Sequence, residues 1–312
     1  MLDYRLVEAF AAVLEERGFE RAALRLRITQ SAVSQRVKQL EDEMGRVLIV
    51  RETPPRATQA GERLLRHYRQ VLGLEDDAVG EIGSRSASGY QHLPIAVNTD
   101  SLAVWLLDAI LPLLRERRIT VEILVEAQDR TLAFLKSGAV VACVSPQREG
   151  IQGCSSTIIG RMRYVLAASP EFRERWFKDG FVRAAVEAAP LIHYSRDDPL
   201  QHRSLAQVFG GRRPDSPAHY VPSTEKYVDA IEAGVGYGLV PEVLAARALA
   251  EGRLVELEPR ARIEVPLYWH RWNRHSKHLQ ELSDHVLAAG ARILEGGADS
   301  EGGADPGVGA GS

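Results

Sequence analysis

Along the N-terminal part of the chain, apolar residues recur at the three- and four-residue spacing of amphipathic helices. Leu6, Phe10, Val13 and Leu14 face one way on a first helix that Asp3 can cap and that ends at Gly18. The next stretch, 19–38, reads as two short helices around a tight corner, with Ala22 and Ala23 small enough for close packing. Thr29 is a suitable N-cap for a helix over 30–40. In that helix Val33, Val37 and Leu40 form the apolar stripe, while Ser31, Ser34, Gln35 and Lys38 form a separate polar face. After Gly45, VLIVRETPPRAT alternates like a short ribbon that turns at Pro54–Pro55. From Thr58 to Ile82 the pattern is one helix nearly 40 Å long at about 1.5 Å per residue. Leu64, Tyr68, Val71, Ala78 and Ile82 make one stripe on it, and Leu65, Leu72 and Val79 a second at sevenfold spacing. Two stripes exceed what a small domain can cover, so pairing with a second copy is expected, the alternative being a helix lying on its own domain. Residues 83–91, SRSASGYQ preceded by glycine, read as a hinge.

From His92 onward strands alternate with helices: LPIAV, a helix from Asn98–Ser101 through Leu114, ITVEILVE, a helix from Asp129, and AVVACVS. MRYVLAAS follows the turn at Gly150–Gly153, and the pattern continues through YGLVPE and VPLYWHRW to a last helix, 276–294. This texture predicts an α/β domain with mainly parallel strands. The tail, 296–312, is rich in Gly, Ala and Asp and is expected to be disordered.

Charge sharpens the reading of the N-terminal part. The whole chain of 312 residues carries a net charge of −3, which argues against nonspecific polyanion binding. Yet 21–40 holds no acidic residue, while Arg21, Arg25, Arg27, Arg36 and Lys38 are cationic. A basic, hydrogen-bonding helix face after a tight corner suits a DNA major groove, and Arg51 and Arg56 flank a wing that can reach phosphates. The plainer alternative is a solvated helix in an ordinary bundle. Cys143 and Cys154 are too few for a disulfide framework and fit reduced thiols of a cytoplasmic protein. The N-terminus shows no signal-peptide pattern, and no apolar run reaches a membrane span. The histidines have no metal-ligand spacing, and neither a nucleophile elbow nor a phosphate loop follows a strand; the glycines of 234–238 read as a turn. No enzyme, metal or cofactor is expected.

In the α/β part, Asp100 and Ser101 open a helix whose N–H groups favour an anion such as an α-carboxylate. Glu126 and Asp129 fall near the same sheet edge, where gathered carboxylates favour a cationic ligand. Asp100 as a plain N-cap, and Glu126 and Asp129 as surface acids, are the simpler readings. Ser145, Ser223, Thr224 and Glu225 sit at strand–helix junctions on the other side.

The N-terminal residues resemble the winged-helix signature of the LysR-type transcriptional regulators at Ala22–Ala23, Leu26, Ile28–Gln35, Leu40–Glu41, Gly45, Arg51 and Thr58–Gly61. Glu20, where a Ser or Thr cap is usual, and the stiff Pro54–Pro55 wing depart from it. The stretches VNTDSLAVWLLDAI, QDRTLAFLKSG, IQGC with RMRYVLAASPEF, VPSTEKYVDAIEAGVGYGLVPE and VPLYWHRW resemble the arginine- and lysine-responsive (ArgP/LysG, IciA-like) branch. Across 2–295 the resemblance implies a winged helix-turn-helix DNA-binding domain over 1–58, with the helix-turn-helix at 19–38. A linker and dimerisation helix with its hinge would occupy 59–91, and an effector domain 92–295. The effector domain would be two-lobed and periplasmic-binding-protein-like, with lobe I at 92–162 and 267–295 and lobe II at 163–266.

The DNA-contact set so implied is Arg27, Thr29, Gln30, Ser31, Ser34, Gln35, Arg36, Lys38, Arg51, Arg56 and Thr58. The implied effector is L-lysine or L-arginine, held by Asn98, Thr99, Asp100, Ser101, Glu126, Asp129, Ser145, Ser223, Thr224 and Glu225. Lys226, in a stretch that departs from the branch pattern, puts a strict preference for basic ligands in question. Operator DNA, a second copy (with dimers possibly pairing again) and RNA polymerase are the partners implied. A competing role is an architectural, AT-rich DNA binder that blocks replication initiation.

Overall fold

A computed structural model describes residues 2–81, 90–126, 130–196, 198–211, 214–273 and 276–294. Ile82, most of the expected hinge, Asp129, the expected tail and the side chain of Val79 lie outside the described residues.

The N-terminal unit begins with α1 (Tyr4–Glu15), α2 (Phe19–Leu26) and α3 (Gln30–Met44). Asp3 caps α1 by accepting from Arg5 N, but the helix stops at Glu15, short of the expected Gly18, because Arg17 turns left-handed at φ 53°. Helix α3 starts where expected, the Thr29 hydroxyl accepting from Ala32 N at 3.2 Å. It runs a full turn past Leu40, to Met44, before Gly45 reverses the chain at φ 62°. Val33, Val37 and Leu40 are fully buried against Val7, Phe10 and Val13 of α1. The wing pairs β1 (Ile49–Val50) antiparallel with β2 (Arg56–Ala57). Its base is pinned to α3 by the Glu41 carboxylate, which accepts from Leu48 N at 2.7 Å and Ile49 N at 3.1 Å.

The long helix α4 spans Gln59–Glu81. Its start packs directly on the wing: a Cβ at Gly61 would lie 2.2 Å from the Leu48 carbonyl oxygen, so only hydrogen fits there. Three expected dimer-facing residues instead complete the chain's own core. Leu64, Leu65 and Tyr68 are buried with Leu6, Phe10 and Val13, since the first turns of α4 lie along α1. Farther along, Leu72 and Leu74 are 40% and 53% exposed.

The α/β unit starts with β3 (Gln91–Asn98), so Gln91, assigned to the hinge, is already strand. Helix α5 (Thr99–Ser101), a π-helical turn (Leu102–Leu106) and α6 (Leu107–Glu116) follow as one rod. Next come β4 (Ile119–Glu126), α7 (Thr131–Lys136), β5 (Ala142–Ser145) and β6 (Cys154–Ala168). Beyond β6 lie α8 (Pro170–Trp176), α9 (Arg183–Ala188), β7 (Leu191–His193), α10 (Pro199–Phe209), β8 (Ala218–Tyr220) and α11 (Thr224–Glu232). The chain closes with β9 (Gly238–Pro241), α12 (Glu242–Ala250), β10 (Val255–Glu256), β11 (Ile263–Trp272) and α13 (Lys277–Ile293).

The main sheet has the order β10-β6-β11-β5-β3-β4, with β9 also on β6. The expectation of mainly parallel strands is corrected here. Only β3–β4 and β3–β5 are parallel in this sheet, whereas β11 pairs antiparallel with both β5 and β6, and β6 antiparallel with β9 and β10. The physical cause is the length of β6, which starts at Cys154 rather than near Met162 and pairs with β11 from Cys154 to Tyr164. Its first residues are largely exposed, so no apolar alternation marks them. Strands β6 and β11 run through both halves of the unit, with a register irregularity at Leu267/Tyr268 opposite Gly160. One core joins Trp105, Leu106 and Ile110 to Trp269 and to Leu279, Leu282 and Val286 of α13. A second packs Ile192, Tyr227 and Ile231 against Val165 and Val240.

Candidate DNA-reading face and effector cleft

On α3 the side chains of Gln30, Ser31, Gln35 and Lys38 are exposed, and those of Ser34 and Arg36 are partly so. Burial of the opposite stripe fixes this face outward. Ser31 shares a 3.0 Å hydrogen bond with Thr29, so these two hydroxyls also stabilise the helix start, worth about 1 kcal/mol for such a cap. Arg27 is exposed and takes the left-handed conformation, φ 54°, that turns α2 into α3. On the wing the Arg51 guanidinium lies 6.0 Å from the Phe19 ring centre, and Arg56 is ion-paired with Glu52. Glu52 engages the Arg56 Nε and leaves the rest of the exposed guanidinium open to a phosphate. Thr58 is used internally: its hydroxyl donates to Val47 O at 2.9 Å and accepts from Gly61 N at 3.1 Å, because it joins the wing to α4.

The second candidate site lies where β3 and β5 end. Asp100, at the first turn of α5, accepts from Tyr164 Oη at 2.6 Å and from Thr224 Oγ1 at 2.9 Å. Those partners come from β6 and α11, so one carboxylate ties together the two sides of the expected cleft. Thr99 Oγ1 adds a bond to Tyr194 Oη at 3.1 Å. Beneath them, Asn98 is buried with neither amide atom hydrogen-bonded among the described residues, and the buried Ser101 hydroxyl is likewise unpartnered. Buried polar atoms without partners are costly, so such a pair at one strand end is a functional pointer. Ser145 is buried and accepts from Gln147 N at 3.2 Å, and Ser223 caps α11.

Glu126 is partly buried at the end of β4. Glu225, by contrast, is exposed on α11 and does not face the cleft, since Thr224 and Tyr227 take the inward positions of that helix. Lys226 also faces solvent and pairs with Asp229 at 2.7 Å.

Sequence reasoning missed half of this site. A cavity of about 30 Å³ is lined by Asp100, Tyr164, Tyr194, Asp198, Gln201 and Thr224 among others. Asp198, before a proline, caps α10 by accepting from Leu200 N at 2.9 Å. Burial raises the Asp100 carboxyl above the ordinary carboxylate value, against the opposing bonds from Tyr164 and Thr224. Burial also raises that of Asp198, offset in part by the Leu200 N–H and raised further by the nearby Asp100 charge. Among the described residues no cationic side chain lines the cavity beside the two carboxylates. The wall behind is rigid: Gln201 Nε2 donates to Tyr227 Oη at 2.5 Å, Tyr227 Oη to Ile192 O at 2.9 Å, and Leu239 N to Gln201 Oε1 at 3.1 Å.

Among the described residues no group of three or more His, Cys, Asp or Glu is placed to hold a metal, and no helix is long and apolar enough to cross a membrane. Burial pushes the Cys154 thiol up to about 11 and the Cys143 thiol higher still, which disfavours the reactive thiolate.

A winged DNA-reading unit joined by one long helix to a two-sided polar cleft is the build of a ligand-responsive DNA-binding regulator. Comparison with known proteins agrees. Residues 4–62 match the bacterial regulatory helix-turn-helix protein, lysR family, and residues 91–291 the LysR substrate binding domain. The chain belongs to the LysR family of transcriptional regulators. It is 43% identical over 293 residues to the transcriptional regulator ArgP of Photobacterium profundum, covering 94% of this chain and 98% of that one. Identity to the ArgP of Aeromonas salmonicida is 40% over 296 residues, covering 95% and 99%. Among solved structures, ArgP from Mycobacterium tuberculosis superposes with a TM-score of 0.85 at 39% identity, over 95% of this chain and all of that one. Full-length LysG from Corynebacterium glutamicum with the bound effector Arg gives 0.77 at 32% identity, over 94% and 99%.

Proposed function

We propose that this regulator is switched by a basic amino acid, lysine or arginine, bound between the two sides of the cleft. The observation that carries the reading is the pair of carboxylates, Asp100 and Asp198, facing one small cavity with no cation among its described lining residues. The likeness to LysG with bound Arg supports it. The α-carboxylate would lie at the start of α5, where Ser101 and Asn98 offer unpartnered polar atoms. An ammonium group would then take the place of the Tyr164 and Thr224 hydroxyls on Asp100. The Tyr164 and Thr224 bonds occupy the Asp100 carboxylate that the ligand would use, so binding would require these cross-cleft contacts to rearrange. Ligand binding thus exchanges one set of cross-cleft bonds for another, and only that difference can shift the arrangement of the DNA-reading units.

The protein would act in the cytoplasm as a homodimer joined through the outer part of α4, each copy reading half of an operator. Asp129, an expected ligand residue, belongs to the segment outside the described residues. Calorimetric titration with lysine, arginine and leucine tests the proposal. The basic ligands bind and leucine of similar bulk does not; equal binding of all three removes the role given to the carboxylates. Replacing Asp100 by Asn lowers affinity for the basic ligands by about 2 kcal/mol, roughly thirtyfold, as for the loss of a charge-assisted bond.

A further inference from the structure

The junction of α4 with the α/β unit carries a polar chain that runs from one functional site toward the other. Arg69, midway along α4, donates through Nη1 to the Ser137 carbonyl oxygen at 3.3 Å. The same guanidinium donates through Nε and Nη2 to Glu15 Oε1, both at 3.4 Å. Glu15 is the last residue of α1, and its other oxygen accepts from Arg25 Nη1 of α2 at 2.7 Å. Arg69 and Glu15 are shielded, with side chains only 23% and 28% exposed, so solvent and salt screen this link less than a surface pair.

Ser137 is the C-cap of α7, a rod about 9 Å long for its six residues. The opposite end of α7 lies at the cleft: Thr131 is buried there and donates to Val144 O at 2.7 Å, next to Ser145. Gly138 then lies against the backbone of α4, where a Cβ would sit 3.4 Å from the Arg66 Cα. Beside this contact a cavity of about 180 Å³ is lined by Arg69, Gln70 and Leu74 from α4 and by Val140, Val141 and Trp272 from the α/β unit. This pocket opens to solvent, so α4 is not tightly packed against the α/β unit along that stretch.

We infer that Arg69 is a positioning residue that couples the cleft to the DNA-reading unit through Ser137, Glu15 and Arg25. Movement of α7 at the cleft shifts the Ser137 carbonyl. Arg69 carries the shift to Glu15, and Glu15 to Arg25 on the helix that supports α3. The regulatory use of this chain rests on the basic-effector reading; the mechanical link does not.

Two measurements on the full-length protein separate the two. In ligand-free protein, hydrogen exchange is followed at Gly138 and Ala139, whose amides donate to Leu135 and Phe134 carbonyls. Glu15→Gln, although in the DNA-reading unit, speeds exchange at both amides several-fold, and Arg69→Met does the same. Unchanged exchange in both variants overturns the link, whatever the ligand. In the second measurement, operator affinity is read with and without saturating arginine. Arg69→Met keeps arginine affinity and ligand-free operator affinity within twofold of the parent, but loses most of the arginine-induced change. The double variant with Glu15→Gln loses no more, as expected for one shared pathway. A parent-like response in Arg69→Met overturns the regulatory role. Failure of the parent to bind either arginine or lysine overturns the effector reading and the regulatory use, while the exchange result still decides the link.

Discussion

At the scale of single residues, Asp100 is the most informative. Its carboxyl sits above the usual value because it is buried, and a bound ammonium would lower it again. Between the ligand-bound and ligand-free values, binding therefore expels a proton. Affinity for lysine or arginine should rise with pH through that window and level off above it. Titrations in buffers of different ionisation enthalpy check this; affinity that falls with rising pH reverses the sign and rejects Asp100 as the ammonium partner. On α3, Gln35 is exposed at the centre of the polar face, and Gln35→Ala should cost about 1–3 kcal/mol at one base position while sparing the others. Binding measured across a set of single-base operator variants tests it, uniform loss or no loss arguing against direct reading. Asp100 and Thr224 were visible in the sequence because helix starts advertise themselves. Tyr164 and Asp198 were not: one sits in an apolar strand run, the other looks like any N-cap before proline, and only folding brings them together.

At the scale of elements, α4 divides its work. Its first half closes the DNA-reading unit through Leu64, Leu65 and Tyr68, and its second half leaves Leu72 and Leu74 outward. The periodicity announced two stripes without saying which partner each would meet, since a stripe has the same spacing whether it faces its own chain or another copy. Leu72→Glu should accordingly split the proposed dimer while leaving the fold intact, giving monomer mass by sedimentation with unchanged helix content. An intact dimer moves the interface elsewhere. On the wing, Arg56→Ala should weaken binding to all sequences alike and lower the salt dependence of log affinity by about one unit, because a phosphate contact is lost. A sequence-selective effect would instead place Arg56 at a base. The three N-terminal helices were legible from their caps and stripes. The antiparallel β6–β11 pair was not, since strand–helix alternation resembles a parallel sheet when a long strand's first turns lie exposed.

At the scale of the molecule, the tie from Asp100 to Tyr164 and Thr224 joins parts of the chain 64 and 124 residues apart. Ligand held there should stabilise the whole domain, by about 2.7 kcal/mol at a concentration a hundred times its dissociation constant. A thermal-shift series with arginine and lysine measures that, and no shift at saturation with either would contradict the proposed site. The paired strands have another consequence. In β6 and β11, Tyr164 stands opposite Ile263, so everything between them leaves and re-enters through neighbouring positions about 5 Å apart. That is the geometry of a cassette. Grafting 165–262 from a homologue with a different effector should carry over the half of the recognition set that includes Asp198 and Thr224, with operator preference unchanged. Natural recombination could follow the same seam, letting one DNA-reading framework acquire new chemical inputs without renegotiating the rest of the chain.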